Sequence, residues 1–131
     1  MAELVYPELS YLLVGLAYKV DNGLGYGHQE KYLQRAYEKE LTLNKIFYRR
    51  EVTVDLVYGG DTIGKYRLDF IVANKIVVEL KAGVEPRQIH VKQVLEYLRV
   101  TGLKLAIIVC FTRSGVRFKR VINPDVSISS D

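Results

Sequence analysis

Three charged residues close to one another in the chain have the types and spacing needed for chemistry at a phosphate. They lie in the stretch "GKYRLDFIVANKIVVELK", from Gly64 to Lys81. Its apolar residues alternate as in two β-strands, yet Asp69 sits between Leu68 and Phe70, and Glu79-Leu80-Lys81 ends the second strand. Alternate residues of a strand face opposite ways. Leu68 and Phe70 should therefore share one side, with Arg67, Asp69 and Ile71 on the other. Val78 and Leu80 should likewise oppose Val77, Glu79 and Lys81. A three-residue loop centred on Asn74 places Asp69 directly across from Glu79, and a shift of two makes them diagonal neighbours. Two carboxylates facing each other across a ladder repel. Lys81 and Arg67 can compensate in part, and a divalent metal ion does so better. Hard cations such as Mg²⁺ take one or two protein carboxylates together with water and substrate phosphate. If that face were open to solvent, the same residues would make an ordinary salt-bridged surface, so the neighbouring elements have to decide.

Two helices supply further polar groups. In "GHQEKYLQRAYEKELTLN", Glu30 shares a stripe with Leu33, Tyr37 and Leu41. An acid on an apolar stripe costs free energy unless it is paired or liganded. In "PRQIHVKQVLEYLRVTG", Val91, Val94, Leu95 and Leu98 form the core stripe, and His90, Gln93 and Tyr97 form a polar stripe beside it. The uncharged amide of Gln93 suits a lysine or a metal-bound water.

The remaining elements follow from periodicity and breakers. "PELSYLLVGLAYKVDNGLG" reads as a first helix, with Leu12, Leu13, Leu16 and Val20 at helical spacing and Pro7 in the first turn. "IFYRREVTVDLVY" and "TIGKYRLDFIV" read as strands joined by the tight turn "GGD". "KIVVELKA" is a third strand, the fully apolar "LKLAIIVCF" a central one, and "VRFKRVI" a last, more polar one. The order is α-α-β-β-β-α-β-β in one domain over residues 1–131, with a frayed tail expected from residue 123. Hydrophobic residues make up 49% of the chain, enough for a real core. The sequence contains no apolar run long enough for a transmembrane helix, and its N-terminus lacks the pattern of a signal peptide. The lone Cys110 lies in the most apolar strand, reads as a small buried residue and suits a reducing cytoplasm. The formal charge of +4 and pI near 9.1 are compatible with a polyanionic partner.

Asp69, followed after nine residues by Glu79-Leu80-Lys81, resembles the D…(D/E)xK signature of the PD-(D/E)xK nucleases, the restriction-endonuclease-like superfamily. "QVLEYL", with Gln93 and Tyr97 four apart, resembles the QxxxY element that follows the signature in several branches. "GYGHQEKYLQ" is similar to the motif of the GxxExxY proteins grouped with that superfamily: Gly27 and Glu30 match, while Leu33 holds the final position and Tyr32 stands one place earlier. The resemblance spans the chain from about Leu12 to about Ile122. It implies an α/β fold with a mixed sheet flanked by helices, and a metal-dependent nuclease hydrolysing phosphodiester bonds in DNA. It implies that Asp69 and Glu79 bind Mg²⁺ or Mn²⁺, with the backbone carbonyl of Leu80 a further ligand. Glu30 would bind the metal directly or through water. Lys81 would orient or activate the attacking water, with Gln93 supporting it.

Basic residues outside the signature have two readings. Arg113, Arg117, Lys119 and Arg120 follow the apolar strand, and Arg49-Arg50 precede the first hairpin. Arg67, Arg113, Arg117 and Lys119, with Tyr97, are candidates for contact with nucleic acid. Edge-strand charges that block aggregation are the other reading. A non-catalytic nucleic-acid-binding or assembly domain that keeps the fold is the alternative function, and an enzyme acting on another phosphate substrate a third. The small size favours a homodimer, since one such domain offers little surface to grip a duplex.

Overall fold

In the computed structural model, which describes residues 5–127, the eight elements follow the expected order: α1 (Pro7–Leu24), α2 (Glu30–Leu43), β1 (Tyr48–Tyr58), β2 (Asp61–Val72), β3 (Ile76–Ala82), α3 (Gln88–Thr101), β4 (Leu105–Thr112) and β5 (Gly115–Ile122). Boundaries shift where the backbone turns left-handed. α2 begins at Glu30 and not at Gly27, because Gly25 and Gly27 hold φ of 77° and 103°, outside the right-handed helix. β1 begins at Tyr48 and not at Ile46, because Lys45 has φ 55° and the Ile46 amide still donates to the Leu41 carbonyl.

The strands form one mixed sheet in the order β1-β2-β3-β4-β5. Hairpins make β1–β2, β2–β3 and β4–β5 antiparallel, and the α3 crossover makes β3–β4 parallel. β3 holds the centre. The apolar β4 lies next to it and is buried along its whole length. α1 and α2 cover one face, meeting Phe70, Val72, Val78, Leu80, Ile107 and Val109. α3 covers the other with Val94, Tyr97 and Leu98, meeting Val77, Ala106, Ile108 and Cys110. In α1 the buried stripe is Leu13, Val14, Leu16, Ala17 and Val20, while Leu12 points outward at 38% exposure.

The β1–β2 hairpin departs from simple alternation. Phe70 and Val72 pack on the α1–α2 side, but Leu68 packs with the α3 core, so Leu68 and Phe70 do not share a face. β1 changes face at the same level: Tyr48 packs on the α1–α2 side, Val52 and Val54 on the α3 side. The switch falls at Glu51 and Asp69. The register runs Arg50↔Phe70 and Val52↔Leu68 with no ladder pair between them, and Glu51 has φ 54°. A left-handed non-glycine residue costs on the order of 1–3 kcal/mol and persists only where its surroundings hold it. The surrounding β1–β2 pairing, Arg50↔Phe70 on one side and Val52↔Leu68 on the other, holds it here, and its exposed carboxylate pairs with Arg67 at 2.8 Å. The kink frees Asp69 from the regular ladder.

Tyr37 shows how tightly α2 is seated. It is fully buried, donates its hydroxyl to the Leu13 carbonyl at 2.8 Å, and sets its ring edge-on to Phe70 with centroids 5.5 Å apart. Tyr37→Phe should cost about 1 kcal/mol, the value of one hydrogen bond, because the Leu13 carbonyl remains inside its helix. Tyr37→Ala should cost roughly 3–5 kcal/mol through the cavity it leaves. Urea melts of both variants measure the two terms separately.

The C-terminal end is tied down further than its sequence indicates. Asn123 is buried, and its side-chain amide donates to the Leu98 and Leu103 carbonyls at 3.2 and 3.1 Å. It thereby closes the end of α3, so the tail expected from residue 123 is anchored at its first residue. Residues 128–131 of that tail lie outside the described residues.

Candidate active site

The acids meet where the central hairpin opens. β2 and β3 pair at Val72↔Ile76, Ile71↔Val77 and Phe70↔Val78, around the turn Ala73-Asn74-Lys75. The same register brings Asp69 opposite Glu79, but there the backbone ladder stops and side chains take over. The Asp69 amide donates to Glu79 Oε1 at 2.9 Å, and the Leu80 amide donates to Asp69 Oδ2 at 2.9 Å. Each carboxylate thus stands in for a missing backbone carbonyl, and each keeps its other oxygen. β3 continues beside β4 as far as Ala82↔Phe111. Glu79 and Lys81 ride on this well-paired edge while β2 bends away.

The electrostatics follow from burial. Glu79 is 3% exposed, and its pKa is pushed up to about 8, first by burial and then by the charge of Asp69. Burial also raises Asp69, against the Leu80 N–H and the Lys81 charge, which favour its ionised form. Two neighbouring buried acids can both ionise only if a cation joins them. Lys81 does not do this by direct contact. Among the described residues it makes no ion pair, and its Nζ donates instead to Gln93 Oε1 at 3.3 Å. The hard oxygens of Asp69 and Glu79 fit a divalent cation: they are paired, buried and short of positive charge.

The structure brings Asp69, Glu79, Leu80, Lys81 and Gln93 together. Glu30 continues the stripe of Leu33, Tyr37 and Leu41, the buried residues of α2, but lies beyond its buried part. It is exposed as the first residue of α2, and among the described residues no three acids, histidines or cysteines cluster closely enough to hold a metal by themselves. It still lies in charge range of His90 and Cys110. Tyr97 is buried at 4%, its ring 5.4 Å from that of Tyr66, so it packs α3 onto the sheet and is not free to contact nucleic acid. Burial and the nearby acids raise its pKa. Cys110 is buried opposite Lys81, and burial pushes its thiol up to about 11.

The basic candidates scatter. Arg67 pairs with Glu51 as described above. Arg117 lies 3.8 Å from Glu85, Lys119 is exposed on the edge strand β5, and Arg113 rests over the ring of Tyr26. Arg120 turns inward to the Val5 carbonyl. Arg50 gains a role that its sequence position does not signal. Pinned by Glu38 at 2.9 Å and Gln34 at 3.2 Å on α2, it sends positive charge toward Asp69. The β1–β2 register sets it beside Asp69, and the packing of α2 on β1 fixes its guanidinium. His90 closes the start of α3 by accepting the Arg87 amide at 3.0 Å. Its pKa is lowered by burial and by the charges of Lys81 and Arg87. An apolar groove of about 450 Å³ between α1 and β5, lined by Tyr11, Tyr18 and Phe118 among others, includes none of the acids.

Residues 7–121 match the family described as the PD-(D/E)XK nuclease superfamily, and the chain belongs to it. Members of this superfamily generally use divalent metal ions, and the match supports a nuclease function. Solved structures are similar in fold. SSO0001 has a TM-score of 0.55 at 18% identity, over 88% of this chain and 77% of its own. An alkaline exonuclease from Laribacter hongkongensis has a TM-score of 0.56 at 12% identity, over 95% of this chain and 73% of its own. No curated protein matches the chain. Among the described residues no helix is long and apolar enough to cross a membrane.

Proposed function

We propose that this protein is a metal-dependent nuclease of the GxxExxY type that hydrolyses phosphodiester bonds in DNA. The observation that carries this reading is the interlocked Asp69–Glu79 pair at the opening of the sheet, with Lys81 beside it and not neutralised by it. Asp69 and Glu79 would hold Mg²⁺ or Mn²⁺ with the Leu80 carbonyl, and Glu30 would reach the ion through water. When bound, such an ion makes a nucleophile available near neutral pH and offsets charge on the phosphate. Lys81 orients the attacking water and stabilises the negative charge that builds on the scissile phosphate. Gln93 holds the Lys81 ammonium in place through its amide oxygen. A homodimer in a reducing cytoplasm completes the reading: a second copy adds the grip that one small domain lacks, and Cys110 stays a thiol.

The test is a cleavage screen with Mg²⁺ and Mn²⁺ on linear, single-stranded, nicked and branched DNA, with Lys81→Ala purified in parallel. Metal-dependent cleavage by the wild type alone supports the nuclease. No cleavage of any substrate, with DNA binding retained, would favour the non-catalytic binding domain. The ion site has its own check in thermal shift. Mn²⁺ at about 100 times its dissociation constant should stabilise the wild type by about 2.7 kcal/mol. Asp69→Asn, which keeps an acceptor for the Leu80 amide, should melt no lower than wild type without metal and lose that response. An equal Mn²⁺ response in both proteins would place the ion elsewhere.

A further inference from the structure

At the end of β3 that carries Lys81, the turn between α1 and α2 lines a cleft of about 220 Å³, whose lining includes Tyr26, His28, Ala82, Gly83 and Phe111. Ala82 and Gly83 directly follow Lys81. The cleft therefore lies at the same end of β3 as Lys81, on the α1–α2 face of the sheet with Leu33 and Phe111. Gly25 and Gly27 flank Tyr26 with φ of 77° and 103°, and this turn leaves the Tyr26 ring 52% exposed. The Arg113 guanidinium lies 5.6 Å from that ring's centroid, and Arg113 has no ion-pair partner among the described residues. The next exposed ring, Tyr32, is flanked by Lys31 at 5.1 Å and Arg35 at 5.7 Å, and these are also without an acidic partner there.

Resting on the nuclease reading, we infer that this cleft holds an unpaired nucleotide next to the scissile phosphate, its base stacked on Tyr26 and its phosphate met by Arg113. Scattered exposed tyrosines are ordinary. Here, however, exposed rings recur with unpaired cations along one short segment, the α1–α2 turn and the first turn of α2, and Tyr26 lines the cleft at the end of β3. Aromatic faces with cations beside them are the chemistry of single-strand binding, because only an unpaired base offers its own face. In a duplex that face is taken by the neighbouring base pair. The substrate class at this site is therefore a single strand, or a frayed duplex end, and not an intact duplex.

The sequence contains no tryptophan, so Tyr26→Trp introduces a single indole that can be excited to the red of the tyrosines. In an Asp69→Asn background, where no cleavage intervenes, oligothymidylate should quench that fluorescence saturably and a closed, blunt hairpin duplex should not. By fluorescence anisotropy of labelled oligothymidylate at fixed salt, Tyr26→Ala should weaken binding roughly 5- to 150-fold, the equivalent of one base–aromatic stack at 1–3 kcal/mol. Tyr26→Phe should bind as wild type, and Arg113→Ala should weaken binding and flatten its salt dependence. Equal quenching by the blunt duplex, unchanged affinity in Tyr26→Ala, or quenching driven by protein concentration alone would each overturn the inference. The readout is binding, so a protein that cleaves nothing but still passes this test would fail only as a nuclease.

Discussion

Replacing Lys81 by alanine should reduce metal-dependent DNA cleavage by about 10²–10³-fold, the loss typical of one preorganised electrostatic group. Lys81 stands at the end of the acid-bearing strand, is oriented by Gln93, and makes no ion pair with Asp69 or Glu79 among the described residues. Its charge is therefore available when charge develops on the phosphate. An interaction made mainly in the transition state lowers the rate and leaves ground-state binding nearly intact. DNA affinity at fixed salt should fall by no more than the share of one phosphate contact. Gln93→Ala should show a weaker form of the same pattern, because it removes the support and keeps the charge. Single-turnover cleavage beside a binding titration separates the two effects. A Lys81→Ala protein that cleaves at the wild-type rate would remove Lys81 from the chemistry.

Glu79→Gln should abolish metal-dependent activity and yet stabilise the metal-free protein at alkaline pH. The sign follows from the raised pKa of Glu79, about 8 in the folded chain. Below the unfolded value of about 4.3 both states carry the proton and Glu79 imposes no penalty. Between that value and about 8, the unfolded chain releases the proton while the folded one retains it, so stability declines with rising pH. Above this window the penalty is fully present. Glutamine keeps an oxygen for the Asp69 amide, and its NH₂ can donate to the Asp69 carboxylate, so the Glu79 share of the decline disappears and only that of Asp69, itself raised by burial, remains. At pH 8.5 with a chelator, the variant should exceed wild type by about 2 kcal/mol, or roughly 6 °C in melting temperature. His90, with its lowered pKa, contributes in the opposite sense, but it does so in both proteins and cancels in the difference. A divalent ion should return the lost stability to the wild type alone, with an affinity that rises toward pH 8 as protons cease to compete. Parallel pH dependences of the two proteins would show that Glu79 is not held as a raised acid.

The order of elements, the turn at Asn74 and the meeting of Asp69 with Glu79 were legible because they depend on local rules. Period-two alternation, glycine and proline breakers and a three-residue hairpin loop act over a few residues each. The departure of Leu68 from the face of Phe70 was not legible. Leu68 follows alternation on paper, and only the paired kink at Glu51 and Asp69 turns both strands over together. Tyr97 looked like a polar neighbour of Gln93, yet the packing of α3 on the sheet buries it against Tyr66 of β2. Glu30 looked like an acid on an apolar stripe, yet two left-handed glycines start the helix at Glu30 itself and leave it at the exposed end.

The sequence by itself determined the chemical groups and their pairing across one hairpin: two acids on neighbouring strands with nine residues between them, and a lysine two places after the second. It did so because strand pairing across a tight turn is a local matter. Tertiary structure alone decided their ionic state and their surroundings. Packing of α1, α2 and α3 on both faces buried the site and raised Glu79, let Glu38 and Gln34 of α2 fix Arg50 of β1 with its charge toward Asp69, and set Tyr26 and Arg113 near the end of β3. Desolvation and long-range charge depend on which distant surfaces meet, and no local pattern of residues encodes that meeting.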